Sequence, residues 1–516
     1  MLSRVWSSAV LGVDALPIEI ETHTEPGIPR WTVVGLPDGA VRESRDRIWA
    51  ALKNSGLPVP RGAVTVNLAP ADVRKEGSAY DLPMALGLLA ATTDGIAQDV
   101  LDEVVVVGEL GLDGAVRPVR GVLPMAAGAR AEGRRAIVVP AENAAEAAVV
   151  EGLAVYPVAT LKDAFDLLMD GAEGTPEPPR PLVTDAPVAG GPDFADVRGQ
   201  ALVKRALEVA AAGGHNALMI GPPGSGKTML ARRLPTILPP LTPAEALETT
   251  KIWSVGGRLN GSARGGLVAE RPFRSPHHTI SNAGLCGGGS NPMPGEISLA
   301  HNGVLFLDEL PEFDRPVLEV LRQPLEEGEV TIARARATVR YPARFMLVAS
   351  MNPCPCGHAG DPTRACVCAP GQVQRYLAKV SGPLLDRIDL HVEVTPVPFE
   401  ALGRTEDAEP SAAVRGRVEA ARERQAARFS NAPGQFANAQ MTSRQVRRWC
   451  RLDDASRGLL QSALTRLGLS ARAHDRILKV SRTIADLDGA DDLGPAHLAE
   501  AIQYRSLDRA GWGVGA

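Results

Sequence analysis

The sequence predicts an α/β protein of several domains, and three observations carry that expectation. Between residues 195 and 398, short apolar strands such as ALMIG, GVLFLDE and FMLVASMN alternate with helical stretches. That alternation belongs to a mostly parallel sheet with helices on both faces. A glycine-rich loop, GPPGSGKT, stands between one of these strands and the next helix. The segment 171–194, GAEGTPEPPRPLVTDAPVAGGPDF, has too few large apolar residues to pack and reads as a proline-rich linker.

The linker sets the remaining boundaries. Residues 1–170 mix β-rich runs (AVTVNLAP, EVVVVGEL, AIVVPA) with Ala-rich helical ones and form a separate α+β domain. From 399 to 516 the chain is Arg- and Ala-rich with helical spacing, as in LLQSALTRLGL and HDRILKVSRTIADL, and reads as a helical lid. A chain of 516 residues exceeds one ordinary core. At 45% hydrophobic and 22% charged residues it has the composition of a soluble globular protein. No run of about 18 apolar residues predicts a membrane helix. The opening MLSRVWSSAVLGVDALPIEIE turns acidic too soon for a signal peptide, so the cytoplasm is expected.

The net charge of −5 does not advertise a nucleic-acid binder. The average hides a gradient, because nine arginines face two glutamates between Ser411 and Arg451. That run is either a solvated helix surface or a surface facing phosphates.

The loop Gly221, Pro222, Pro223, Gly224, Ser225, Gly226, Lys227 and Thr228 has the context its chemistry needs, an apolar strand before and a helix after. Its glycines let backbone N–H groups curl around phosphate oxygens, and the helix N-terminus adds its positive dipole end. Lys227 is expected on the β- and γ-phosphates of ATP and Thr228 on Mg²⁺. About 80 residues on, GVLFLDEL is a buried strand ending in two carboxylates. Asp308 is expected in the Mg²⁺ shell and Glu309 as the group that polarises the attacking water.

Four of the six cysteines, Cys354, Cys356, Cys366 and Cys368, fall within fifteen residues. Four thiolates can hold Zn²⁺ tetrahedrally, although Cys-x-Cys is tighter than the usual spacing. His358 is a substitute ligand, and reduced unligated thiols or redox chemistry are the alternatives. The predicted insert spans 352–370.

These nucleotide motifs resemble those of the AAA+ superfamily, and the resemblance implies further roles. Asn352, at the end of FMLVASMN, stands where such ATPases carry sensor 1. Arg387, in SGPLLDRIDLHVEV, stands where they carry an arginine finger acting on a neighbouring subunit; a local pair with Asp386 or Asp389 is the plain alternative. Arg472, in SARAHDRILK, matches sensor 2 in the lid.

The stretches RPFRSPHHTISNAGLCGGGSNPMPGEISLAHNGVLFLDELPEF, NPCPCG and SGPLLDRIDLHVEV resemble the ComM/YifB family, often labelled magnesium-chelatase-like. The likeness covers essentially the whole chain. It implies a hexameric DNA helicase that drives branch migration as transforming DNA is integrated. It also implies the helix-2-insert clade, in which an insert projects toward the ring pore. His277 and His278 then become candidates for DNA contact, and so do Arg334 and Arg336 near the turn of GEVTIARARATVRYPARF. Two adjacent loop histidines are otherwise structural. Residues 1–170 resemble the Lon protease domain. The alignment puts Ala79 at the nucleophile, Ser78 one position early and the apolar Leu123 at the lysine base, so proteolysis is not expected. Chelatase-like or regulatory protein remodelling without DNA is the competing reading; against the former, the chain shows no acidic, metal-binding integrin-like segment.

Overall fold

The computed structural model describes residues 1–93, 95–180, 191–259, 266–289, 292–334, 337–360, 364–396, 408–432, 434–467 and 471–505. Within 1–170 the strands β1 (Leu2–Leu11), β2 (Asp14–Glu25), β3 (Arg30–Val34), β4 (Ala63–Ala69), β5 (Val104–Val106), β6 (Ala136–Pro140) and β7 (Ala154–Val158) build one sheet. Its order is β3-β4-β2-β1-β5-β6-β7. The β1–β2 and β2–β4 pairs are antiparallel, and the others are parallel. Valine- and isoleucine-rich strands suit burial between helices, and β6 is buried at every residue. Helix α1 (Asp81–Thr92) packs on β1 and β2, and α2 (Val122–Ala131) covers the same strands further along.

The second sheet contains β8 (Ala217–Ile220), β9 (Phe273–Arg274), β10 (Val304–Leu307), β13 (Met346–Met351) and β14 (Leu390–Glu393), in the order β9-β10-β13-β8-β14. Every pairing in it is parallel. Strands β8, β10 and β13 are buried throughout, as continuous apolar runs in a doubly covered sheet should be. Helices α3 (Ala201–Gly213), α4 (Lys227–Arg233) and α5 (Pro243–Val255) precede β9 in the chain. The runs flanking residues 335–336 form an antiparallel hairpin, β11 (Glu329–Arg334) and β12 (Ala337–Pro342), with Arg334 opposite Ala337.

The C-terminal part is helical: α6 (Ser411–Arg428), α7 (Ser443–Trp449), α8 (Asp454–Leu467), α9 (Ala471–Leu487) and α10 (Pro495–Gln503). Helices α6 and α9 pack on α3, so lid and nucleotide sheet share one core that includes Val209, Leu230, Val418 and Ile484. The N-terminal part docks on the nucleotide region through α2 and α5. Leu123 is fully buried there with Val149, Leu241, Ala246 and Leu267, which gives an apolar residue at that position a packing role. Gly266, at φ +86°, lies so close to the Ala145 carbonyl that a Cβ would meet its oxygen at 2.3 Å. The first part of the 171–194 segment is held against the N-terminal domain, where Glu177 N–H donates to Val155 O and Arg180 N–H to Ala148 O. Among the described residues no helix is long and apolar enough to cross a membrane.

Candidate nucleotide site and cysteine centre

The phosphate-binding loop lies between β8 and α4, at the carboxyl edge of a parallel sheet, where open α/β sheets receive ligands. Gly226 caps α4 at φ +91°, a conformation that glycine adopts without cost. The side chain of Lys227 is turned back over the loop. Its ammonium donates to Gly221 O at 2.7 Å, Pro222 O at 2.9 Å and Asn352 Oδ1 at 3.2 Å. All three acceptors are neutral, and burial holds the lysine below its ordinary pKa. Phosphate oxygens would reverse that imbalance.

Strands β10 and β13 are neighbours in register, Leu307 beside Ala349, and this brings the acidic pair next to Asn352. Thr228 Oγ1 donates to Asp308 Oδ2 at 2.7 Å, and Ser350 Oγ donates to Asp308 Oδ1. A hydroxyl and a carboxylate side by side are hard oxygen donors that suit Mg²⁺. Glu309 follows with φ 55° and ψ 50°, a left-handed backbone uncommon for a residue with a side chain. Its carboxylate lies 3.7 Å from Nδ1 of His278. The His278 ring stands 4.1 Å from that of His277 and edge-on to Phe313. The histidine pair therefore flanks the Glu309 carboxylate.

Neither Ser350 nor the His278 contact is among the residues that sequence reasoning assigned to this site. A serine inside the otherwise apolar run MLVASM was the available signal for the first. The second is a contact between distant loops. Arg387 pairs with Glu326 and donates to Pro383 O at 2.5 Å, with only 9% of its side chain exposed. The expected partners are engaged elsewhere, Asp386 with Arg472 at 3.8 Å and Asp389 with His215 at 3.2 Å. Arg472 is exposed on α9. Arg336 lies outside the described residues, as does the Arg334 side chain.

The four clustered cysteines converge. Their sulfur atoms all lie within 4.8 Å of one another. Cys354 Sγ is 3.4 Å from Cys356 Sγ and 3.6 Å from Cys366 Sγ. Backbone N–H groups of Cys356 and Ala359 donate to Cys368 Sγ and Cys354 Sγ, as thiolate ligands commonly require. All four are free thiols, and this donor set fits a tetrahedral Zn²⁺. The loop is pressed against the phosphate loop, since a Cβ on Gly357 (φ +84°) would stand 2.4 Å from Pro223 Cδ.

In the N-terminal domain several polar side chains pair within the fold. Ser78 Oγ donates to Glu109, while the buried Lys75 ammonium donates to Pro70 O, so serine and lysine do not pair with each other. Arg47 holds the buried Asp81 through two bonds of 2.6 and 2.9 Å.

Comparison with known sequences gives three family matches: "Magnesium chelatase, subunit ChlI" over 193–402, "Subunit ChlI of Mg-chelatase" over 20–143, and "Magnesium chelatase, subunit ChlI C-terminal" over 408–505. The chain is 47% identical over 511 residues to protein YifB of Escherichia coli, covering 98% of each. It is 46% identical over 514 residues to competence protein ComM of Haemophilus influenzae, again covering 98% of each. The magnesium-chelatase 38 kDa subunit of Cereibacter sphaeroides is 26% identical over 174 residues, 31% of this chain and 52% of that one.

Proposed function

The chain belongs to the ComM/YifB family of magnesium-chelatase-like AAA+ proteins, and on that premise we propose an ATP-hydrolysing motor that moves branched DNA as a homo-hexameric ring. The observation that carries the ATPase half is the cluster of Lys227, Thr228, Asp308 and Asn352 at one sheet edge. The DNA half is supported by full-length similarity to a protein named for competence. A cytoplasmic setting accords with both.

Lys227 exchanges its carbonyl partners for β- and γ-phosphate oxygens. Thr228 and Asp308 would hold Mg²⁺, which when bound would neutralise charge on the nucleotide's phosphates. Glu309 orients the attacking water and draws on its proton, while Asn352 fixes the water from the adjacent strand. Arg387 must leave Glu326 before it can reach a nucleotide on a neighbouring subunit, where it would neutralise charge on the transferred phosphoryl group. Arg472 approaches the phosphates from the lid. Arg334 and Arg336, which the sequence puts near the turn of GEVTIARARATVRYPARF, grip the DNA backbone without reading sequence, with His277 and His278 as further candidates for DNA contact. Zinc held by the four cysteines would cross-link the loop that leans on Pro223.

The test is ATP turnover with and without forked or single-stranded DNA, beside migration of a synthetic four-way junction. Stimulation and migration are expected. Arg334→Ala with Arg336→Ala should keep basal turnover and lose both. A parent chain that DNA never stimulates would favour the second reading, a chelatase-like remodelling ATPase, for which the three chelatase matches speak.

A further inference from the structure

The nine arginines between Ser411 and Arg451 divide sharply once their partners are known. On α6 all five are engaged within the fold. Arg415 lies 3.7 Å from Glu419, and Arg417 pairs with Glu208 and Glu409. Arg422 donates to Ala211 O and Phe436 O, and Arg424 lies 3.2 Å from Asp491. Arg428 clamps Asp486 with bonds of 2.7 and 2.6 Å. These side chains bind the lid to α3 and to itself.

The other four, Arg444, Arg447, Arg448 and Arg451, behave differently. All are exposed, and among the described residues none has a carboxylate partner. Helix α7 sets their geometry. Thr442 caps its start with a side chain that accepts from Gln445 N, while the Gln445 side chain accepts from Thr442 N. Val446 and Cys450 face inward and are buried. The i, i+3, i+4 spacing of Arg444, Arg447 and Arg448 then puts three guanidinium groups on one outward face, and Arg451 follows just past the helix end. Arg448 lies over the Trp449 ring, 4.6 Å from its centroid, a cation–π contact that leaves it without a carboxylate partner among the described residues.

Local structure does not account for this stripe. A helix C-terminus favours Arg447 and Arg448, but Arg444 stands in the first turn, where the dipole opposes a cation and no acidic residue offsets it. The nearest carboxylates are occupied: Asp475 by Ser443 and His474, Asp453 by Ser456 N–H, and Asp454 by Arg457. Four like charges held together in a chain of net charge −5 make a local positive field that suits a polyanionic partner.

We propose that Arg444, Arg447, Arg448 and Arg451 form a second nucleic-acid contact on the outer face of the lid, taking the phosphodiester backbone without regard to sequence. The inference rests on the reading that the chain works on DNA. It adds residues that belong neither to the hairpin nor to the nucleotide motifs. Flexible, fully charged guanidinium groups on one face suit successive phosphates, each contact releasing counterions.

The experiment compares the full-length parent with R444Q/R447Q/R448Q/R451Q and with the matching four-lysine variant. Binding of a labelled random-sequence duplex and of a labelled single strand is titrated across salt concentrations, with polyglutamate as a control polyanion. For the glutamine variant the slope of log affinity against log salt should fall by about three to four, roughly one per lost phosphate contact. Affinity at low salt should fall more than tenfold, basal ATP turnover should stay unchanged, and the lysine variant should retain most of the slope. A glutamine variant with the parental slope overturns the lid contact and leaves the hairpin reading standing. Selective loss of polyglutamate binding, with DNA binding intact, also overturns it and makes the stripe a protein-docking face. A parent that binds neither nucleic acid removes both readings.

Discussion

Two buried charges are held in opposite ways. In the N-terminal domain, Arg47 and Asp81, on two packed helices, are closed on each other through two short bonds, and Ser78 is closed on Glu109. At the start of α4, Lys227 hydrogen-bonds carbonyl and amide oxygens, with its ammonium pushed below the usual pKa by burial. A charge with a matched counter-charge is finished by folding. A charge with neutral partners stays ready for an ionic ligand. At these two sites the partner, more than the burial, is what differs; Lys75, buried on the Pro70 carbonyl, shows that a neutral partner alone does not mark a working ion.

The largest expected effect tests the unfinished side. Lys227→Ala should abolish nucleotide binding. Glu309→Gln should bind ATP yet lose at least about 100-fold in turnover, the scale of a lost general base. Neither should move the melting temperature much. Parental turnover by Glu309→Gln would show that another group activates the water.

Breaking the finished side should do the reverse. Arg47→Ala leaves Asp81 buried and unpaired, which costs about 3–5 kcal/mol by the behaviour of broken buried pairs. Chemical denaturation should read that loss, while KM for ATP stays within about twofold, as expected for a change outside the nucleotide site. A large rise in KM would mean that the two halves are coupled through their interface.

The interface supplies the next test. Burial pushes the Glu146 carboxyl up to about 7 from 4.5, against its hydrogen bond from Asn143. Between those values the folded chain keeps a proton that the unfolded chain has released, so stability declines as pH rises through the window and levels off above it. Glu146→Gln should flatten that decline, a difference of up to about 3 kcal/mol across it. Parallel melting curves against pH for the two chains would refute this.

The smallest expected effect concerns the cysteines. Protein purified without chelator should carry about one zinc per chain, since four thiolates hold one ion. Cys354→Ser with Cys356→Ser should lose the metal and lower the melting temperature by a few degrees, roughly what about 1 kcal/mol does to a domain of this size. A metal-free native chain of full activity would remove zinc from the account.

Much of this was legible in the sequence because the informative residues are near each other along the chain. The phosphate loop announces itself by a strand before and a helix after, and the cysteine spacing alone gathers four sulfurs. The hairpin follows from two alternating runs around a short turn. What could not be read were meetings between distant segments, such as Glu326 with Arg387 or Ser350 with Asp308. The arginine-rich run shows the limit best. Composition offered a solvated face or a phosphate-binding one, and the fold divides the run at the boundary between α6 and α7. Only packing decides which arginines find carboxylates.

Glu309 is the one residue at the nucleotide site whose side chain and backbone pull apart. Its left-handed conformation (φ 55°) suits glycine or asparagine, not glutamate. An asparagine there would relax the turn, and the variant should be more stable than the parent by up to about 1–2 kcal/mol while hydrolysing nothing. Selection for a well-folded chain alone would therefore remove the carboxylate proposed to orient the attacking water. Screens that enrich thermostable variants of this protein should accumulate dead enzymes at position 309, unless turnover is selected in the same round.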